Sequence, residues 1–438
     1  MSVDHNAPPQ EDEKAAIDGI QSEAEEQEEF SFLQETIKDE LPSGKRTFYK
    51  IIKIAGSGAV FGLAACIGFF ALKPWAETQF QRDPSEIVIP QDSDEEEEQT
   101  TGDTADEDTQ AQPELTIKNY QELNVALYEV ATAANKCVVE VTAQRESDNW
   151  LEDAYDTKDS VSGVFYDDNG QEVLILTYSS ITKDAEGLMV TFADNQSYSA
   201  SLKKRDDNLG LAVISVPRNN IKQGTWSQIT QGVLGNSNLT TRGEGMIALG
   251  KQFGYGGSMG YGIVSSARNT VMKADGEYSI ISTDIMAASN GTGVLFNLNG
   301  EIVGLIDQTI SNTDSMTLVT AYAISNLKGA IQELSNGKGV PYIGVWGTDI
   351  SETAAEEQGL PEGIYVKEVN ADSPAMNAGI KSGDIITSFK DNEITTLKAY
   401  NKELMECSTG QAVKIEGKRM GPEGYVDIAF DVTIGSLE

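Results

Sequence analysis

"AASNGTGVLFNLNGEIVGLI", residues 287–306, holds two apolar runs on either side of Asn299–Gly300, preceded by a loop of small residues. An Asn-Gly pair between two such runs is the two-residue signal of a tight β-hairpin. Working outward, short β-rich runs recur on both sides, separated by turn signals such as Asn169–Gly170 and Asp194–Asn195. Many short strands with frequent turns predict a mainly β sandwich or barrel.

Composition limits the partners of this chain. Its 69 acidic residues against 32 basic ones give a formal net charge of −37, which argues against nucleic acid as a partner. Cys66, Cys137 and Cys407 lie in three different segments and predict neither a disulfide framework nor a zinc site. The acidic run "DSDEEEE" (92–98) lacks the ligand spacing of a calcium loop, so we expect a solvated spacer and no metal or cofactor.

The first part of the chain predicts three segments. Residues 1–46 are acidic and poor in large apolar side chains, so we expect a disordered tail. Residues 54–72 carry no charge, which predicts a single transmembrane anchor within 47–74. Basic residues before this run place the N-terminus in the cytoplasm and the folded domains outside the cell membrane. Residues 75–114 are expected to form an acidic extracytoplasmic linker.

A helix is expected just before the β-rich region. The segment "YQELNVALYEVATAA" spaces its apolar residues at helical intervals. They are Tyr120, Leu123, Leu127, Val130 and Ala134.

Five segments in a fixed order resemble the HtrA/Deg family of bacterial serine proteases. They are "DSVSGVFYDDNGQEVLILTYSSIT" (159–182), "VTFADNQSYSASLKKRDDNLGLAVISV" (190–216), "GNSNLTTRGEGMIALG" (235–250), "GYGIVSSARN" (260–269) and "STDIMAASNGTGVLFNLNGEIVGLI" (282–306). The resemblance covers roughly residues 118–438. It implies a trypsin-like double β-barrel over 115–335, followed by an α+β PDZ domain over 336–438.

The resemblance also assigns the catalytic positions. The histidine position holds Ser180, and the aspartate position holds Gly210, with Asp206 and Asp207 close by. The serine position falls on Gly291 counting back from "NLNG", or on Thr292 counting forward from Asp284. Ser289 and Val294 replace the loop's first glycine and its proline, so the oxyanion hole is also altered.

These replacements lead to three alternative functions. A hydroxyl nucleophile needs a base, and the only histidine is His5, in the predicted cytoplasmic tail. The leading expectation is therefore a pseudoprotease without enzymatic activity, acting in envelope protein quality control or regulation. The second is an atypical endopeptidase in which Thr292 or Ser289 is activated by Lys183. The third is a signalling adaptor whose acidic tail is the output.

The C-terminal segment "VNADSPAMNAGIKSGDII" (369–386) resembles the PDZ domains of the same family. Ser373 is a plausible helix N-cap, with Pro374 at the first helical position. PDZ domains bind a peptide C-terminus as an added strand, with backbone N–H groups holding its carboxylate. By resemblance, the peptide-binding residues are Tyr342, Ile343, Gly344, Val345, Leu397, Tyr400 and Leu404. The expected partners are protein or peptide C-termini, the membrane, and a homotrimer or an active HtrA relative.

Overall fold

The structure is a computed structural model that describes residues 85–92, 116–144, 160–310 and 318–438, together with Lys53, Gly56 and Leu63. The predicted tail (1–46) and nearly all of the predicted anchor (47–74) lie outside the described residues. Within the described part of the chain, no helix is long and apolar enough to cross a membrane. The described elements belong to the unit Asp83–Glu438.

The first barrel closes six antiparallel strands in the order β1-β2-β3-β6-β5-β4. The strands are β1 (Val138–Gln144), β2 (Ser160–Asp168), β3 (Glu172–Tyr178), β4 (Gly187–Thr191), β5 (Ser197–Asp206) and β6 (Leu211–Pro217). The apolar runs "EVLILTY" and "LAVISVP" form the central pair β3 and β6, and both are buried almost throughout. Strands buried on both faces read as continuous apolar runs because neither face meets water.

The second barrel closes six strands in the order β10-β11-β12-β9-β8-β7. They are β7 (Gly245–Lys251), β8 (Ser258–Lys273), β9 (Gly276–Met286), β10 (Thr292–Asn297), β11 (Ile302–Asp307) and β12 (Leu318–Ala323). The hairpin predicted around Asn299–Gly300 is confirmed as β10 and β11, although four residues rather than two separate its strands. Gly300 has φ of +79° in the turn, and the Asn297 side chain accepts the Asn299 N–H at 3.0 Å. The predicted trypsin-like double barrel is therefore present.

The C-terminal sheet has the order β13-β14-β15-β17-β18, with β16 paired to β15. Its strands are β13 (Val345–Asp349), β14 (Ile364–Val369), β15 (Ile385–Phe389), β16 (Asn392–Glu393), β17 (Ala412–Gly421) and β18 (Gly424–Thr433). The α-helices of the described residues are α1 (Ile117–Ala134), α2 (Gln223–Trp226), α3 (Ile324–Ser335), α4 (Glu352–Gln358), α5 (Pro374–Ala378) and α6 (Leu397–Met405). The Ser373 hydroxyl caps α5 by accepting the Met376 N–H, which confirms the predicted N-cap.

Helix α1 confirms the predicted helix but buries little of the predicted apolar face. Ala131 and Ala134 are its buried residues, whereas Tyr120 is 66% and Leu123 54% exposed. Thr116 begins the helix through a capping box with Asn119. The helix is therefore held mainly by its C-terminal turn.

Part of the predicted acidic linker is packed rather than solvated, which corrects that expectation for residues 85–92. Ile87 and Ile89 are buried, and their N–H groups donate to the Asn336 and Gln332 side chains. The carboxylate of Asp92 pairs with the buried Lys328 ammonium of α3 at 2.7 Å. A composition-based expectation of disorder misses these few residues because two isolated isoleucines barely change the local average.

Candidate functional site

The positions that the resemblance assigns to the catalytic residues lie around one cleft of about 420 Å³. Those positions are Ser180, Gly210, Gly291 and Thr292, and all four line it. Ser180 is exposed in a single helical turn, Ser179–Thr182, that follows β3. The Ser179 N–H donates to the Gly210 carbonyl at 2.8 Å, which holds this turn beside the start of β6. The sequence therefore located the cleft, while the catalytic role of each residue stays a prediction.

Gly291 occupies a position where a side chain does not fit. A Cβ atom added there would lie 2.4 Å from the Gln252 carbonyl oxygen and 3.0 Å from the Ala288 carbonyl oxygen. The Gly291 N–H donates to the Ala288 carbonyl at 2.9 Å, so that donor is already used within the loop. Between the two candidates for the serine position, only Thr292 can carry a hydroxyl with this backbone.

The Thr292 hydroxyl of the second barrel is hydrogen-bonded to Ser162 of the first barrel. Its oxygen accepts the Ser162 N–H at 3.0 Å, and the Ser162 hydroxyl donates to the Thr292 carbonyl at 3.1 Å. The buried Tyr178 hydroxyl makes a second link nearby, accepting the Gly293 N–H at 3.1 Å and contacting the Ile306 carbonyl. Burial raises the pKa of Tyr178 well above its usual value, so this hydroxyl stays protonated. These contacts fix the geometry of the cleft floor.

The charged residues predicted beside the catalytic positions, Lys183, Asp206 and Asp207, are not among the residues that line the cleft. Lys183 pairs with Asp207 at 3.0 Å and is half-exposed, so the predicted activation of Thr292 by Lys183 is not supported by this arrangement. Asp206 is buried and accepts the Leu209 N–H at 2.7 Å. Burial raises its pKa to about 7. Among the described residues that line the cleft, Asp307 carries the only carboxylate, and it accepts from the Thr309 N–H and hydroxyl.

Sequence reasoning missed a charged arrangement around Ser160, one of the residues that line the cleft. Ser160, the first residue of β2, lines the cleft and donates its hydroxyl hydrogen to the Glu140 carboxylate at 2.5 Å. The Lys251 ammonium donates to the same Ser160 oxygen at 2.6 Å and to the Ser160 carbonyl at 2.8 Å. These residues come from β1, β2 and β7, so they are far apart in sequence. No local motif identifies them.

The second candidate site is the loop before β13, which the resemblance assigned to carboxylate binding. The N–H groups of Ile343, Gly344 and Val345 converge on one carboxylate, that of Asp275, at 2.7, 2.7 and 2.9 Å. Gly344 has φ of +90°, which favours glycine, and a Cβ atom there would lie 2.5 Å from the Ser373 Cβ. The predicted anion-binding geometry is therefore present, with a carboxylate of the same chain in it.

The side chains predicted to line the peptide groove are core residues of the domain. Leu397 and Leu404 are buried, as are Tyr342 and Ile343. Tyr400 of α6 is also fully buried, but its hydroxyl donates to Asp275 at 2.8 Å. Of the three α6 residues predicted from the sequence, Tyr400 is the one whose side chain hydrogen-bonds to the Asp275 carboxylate.

Comparison with protein families supports the two-domain reading. The family described as "Trypsin-like peptidase domain" matches residues 161–305, and the family described as "PDZ domain" matches residues 341–430. The chain is 28% identical over 279 residues to "Serine protease Do-like HtrB" of Bacillus subtilis (strain 168), covering 59% of each chain. In sequence and in the order of its two matched domains, this chain is similar to the HtrA/Deg family.

Other relatives agree with this assignment. The chain is 26% identical over 279 residues to "Periplasmic pH-dependent serine endoprotease DegQ" of Escherichia coli (strain K12), with 61% of this chain and 59% of that one covered. The chain thus spans about three-fifths of the length of these relatives. The solved structure "HtrA-type protease AlgWS227A with tripeptide" shares the fold, with a TM-score of 0.53, 22% identity, and coverage of 71% of this chain and 98% of that one.

The prediction that this chain is not an enzyme is contradicted by the comparisons. Its relatives are named as serine proteases or serine endoproteases, and the peptidase-domain match includes Ser180, Gly210 and Gly291. The prediction was drawn from the family's own mechanism, in which a histidine is the base. Different side chains at the matched positions do not by themselves demonstrate loss of hydrolysis, because hydroxyl nucleophiles are also activated by other bases.

Proposed function

We propose that this HtrA/Deg protein binds the free C-termini of extracytoplasmic polypeptides through its PDZ domain and holds them near the peptidase cleft. The observation that carries the proposal is the convergence of the Ile343, Gly344 and Val345 N–H groups on one carboxylate. Backbone donors arranged in this way recognise a terminal carboxylate without regard to the neighbouring side chains.

Peptide binding is tested with fluorescent peptides that end in an apolar residue, titrated by anisotropy into the purified chain and into its Asp275→Asn variant. We expect saturable binding of free-acid peptides by at least one of the two proteins. Amidated versions of the same peptides are the control, because amidation removes the charge that the N–H groups hold. Equal binding of acid and amide forms, or no binding by either protein, would contradict the proposal.

A second proposed activity is endopeptidase hydrolysis, favoured by the Ser160 arrangement. The Ser160 oxygen lies at the cleft between the Glu140 carboxylate, which accepts its hydrogen, and the Lys251 ammonium, which donates to it. In this proposal the Ser160 oxygen attacks the peptide carbonyl carbon while Glu140 takes the hydroxyl proton, and Lys251 stabilises the charge that develops on the carbonyl oxygen. The C–N bond then breaks as Glu140 returns the proton to the leaving amine, and water hydrolyses the resulting ester by the same route. The names of the relatives support hydrolysis as the activity of the family.

Casein cleavage and labelling by a covalent serine-hydrolase probe test this activity. We expect Ser160→Ala to abolish labelling and Lys251→Ala to lower cleavage at least about 100-fold. Lys183→Ala is the matched control, because Lys183 pairs with Asp207 away from the cleft lining. Cleavage that persists in Ser160→Ala but disappears in Thr292→Ala would show that Thr292 is the nucleophile instead. No cleavage by the unaltered chain would remove this proposal.

The location proposed for the protein is extracytoplasmic, anchored by residues 47–74. The support is the uncharged run 54–72 with basic residues before it, together with the word "Periplasmic" in the name of a relative. Protease added to intact spheroplasts should digest residues 115–438 and leave the segment 1–46 protected. Release of the whole protein into the soluble fraction after cell lysis would contradict the anchor.

A further inference from the structure

The turn between β8 and β9 carries an acidic residue into the PDZ domain. Ala274 and Asp275 form this two-residue turn, which joins Lys273 to Gly276 in the strand register. Hairpin turns usually face water because few side chains cover them. Here Ala274 is fully buried and Asp275 is only 2% exposed. A neighbouring surface therefore covers the end of this hairpin.

Every polar group of Asp275 is bonded to the PDZ domain. One carboxylate oxygen accepts the Ile343 and Gly344 N–H groups, and the other accepts the Val345 N–H and the Tyr400 hydroxyl. The Asp275 N–H donates to the Val345 carbonyl at 2.7 Å, and its carbonyl accepts from the Asn401 side chain at 2.9 Å. The residue is held by both its side chain and its backbone.

This pattern is the one expected of the last residue of a bound peptide. A peptide added as a strand beside β13 places a backbone N–H on a carbonyl of that strand and its terminal carboxylate on the loop N–H groups. Asp275 does both, with its side-chain carboxylate in place of a terminal one. The side chain of Met272 also packs against the apolar core of the PDZ domain, which extends the contact along the hairpin.

We propose that Asp275 is a built-in ligand of the PDZ domain, so that a protein C-terminus binds only by displacing the β8–β9 turn from the loop Ile343–Val345. This inference rests on the proposed peptide-binding function. The contact is intramolecular: a turn of the second barrel occupies the PDZ loop to which a peptide carboxylate would bind.

The energetic basis is competition for one set of donors. The carboxylate of Asp275 is buried, and four hydrogen bonds compensate its desolvation. Burial raises the pKa of Asp275 even so. The C-terminal carboxylate of a peptide has the same charge and geometry as the Asp275 carboxylate. The measured peptide affinity is therefore set by the difference in binding free energy between the peptide and Asp275.

The test compares peptide affinity in three variants of the full chain. Asp275→Asn replaces one acceptor oxygen with a donor and so weakens the internal ligand while keeping its size. Gly276→Ala acts by sterics, because a Cβ atom there would lie 2.9 Å from the Asn401 side-chain nitrogen. Glu277→Gln is the matched control, since Glu277 lies on the same hairpin but is exposed.

We expect Asp275→Asn and Gly276→Ala to raise the affinity for a free-acid peptide at least about fivefold, with Glu277→Gln unchanged. Melting curves verify that each variant folds, and Gly276→Ala keeps the test decisive if Asp275→Asn does not fold. Affinity equal to that of the unaltered chain in every folded variant would overturn the inference but leave peptide binding intact. Absence of acid-specific binding in all proteins would instead overturn the proposed function, and the inference with it.

Discussion

The peptidase cleft and the PDZ loop differ in which atoms make the site. In the cleft, the family's catalytic groups are side chains, and the resemblance predicts Ser180 and Gly210 where the family has histidine and aspartate. In the PDZ loop, the binding groups are the backbone N–H groups of Ile343, Gly344 and Val345, which every substitution except proline retains. A site made of backbone groups persists as long as the fold does, whereas a site made of side chains is lost when those residues are substituted.

The largest effect is expected from adding a side chain at Gly344, where the PDZ loop has no room for a Cβ atom. Gly344→Ala places a Cβ atom 2.5 Å from the Ser373 Cβ at a φ of +90°. We expect a loss of about 4 kcal/mol in the free energy of unfolding, from crowding plus backbone strain, and loss of peptide binding. Urea unfolding and peptide titration measure the two effects.

Gly383→Ala is the matched control for that change. Gly383 has the same φ of +90° but no atom within 4 Å of an added Cβ. It should cost only the backbone strain, about 1–2 kcal/mol, and leave peptide affinity unchanged. Equal costs for the two variants would show that crowding at Ser373 has no role in holding the loop.

A slightly smaller effect is expected in the cleft. Gly291→Ser supplies the hydroxyl at one of the two candidate serine positions, but its Cβ would meet the Gln252 carbonyl oxygen at 2.4 Å. We expect a destabilisation of about 2–3 kcal/mol and no gain in casein cleavage. Gly224→Ser is the control, because no atom lies within 4 Å of a Cβ added at Gly224, and it should leave the free energy of unfolding nearly unchanged. A stable and more active Gly291→Ser variant would show that the loop can rearrange.

The smallest effect is a pH dependence of the free energy of unfolding, which arises from Asp206. Burial raises the pKa of Asp206 to about 7, against an ordinary value of 3.8, and nearby Asp207 and Asp275 act in the same direction. The folded state therefore holds a proton that the unfolded state has lost. Stability should fall as pH rises, by roughly 2 kcal/mol between pH 5 and pH 7.

Denaturant unfolding at several pH values checks this expectation. Asp206→Asn should flatten the dependence, because the amide does not titrate, although Asp275 leaves a residual slope of the same sign. Stability that instead rises between pH 5 and pH 7 would mean that Asp206 is ionised in the folded protein.

Much of the fold could be predicted from short segments. The hairpin around Gly300, the helix cap at Ser373 and the order of the family-like segments depend on residues that are close in sequence. Local periodicity and turn chemistry encode such features directly. The same segments also located Ser180, Gly210 and Thr292 around one cleft, because their strands occupy fixed places in the double barrel.

The sequence by itself determined the likeness to the HtrA/Deg family and the presence of two folded domains, and it predicted which residues stand at the family's catalytic positions. Only the tertiary structure decided that the Asp275 carboxylate accepts the N–H groups of the PDZ loop, that the Lys251 ammonium donates to Ser160, and that the Ile87 N–H donates to Asn336 at the end of α3. These contacts join residues 69, 91 and 249 positions apart. No periodicity or motif records such pairs, because each partner alone looks like an ordinary turn, strand or linker residue, and the closed barrels bring them together.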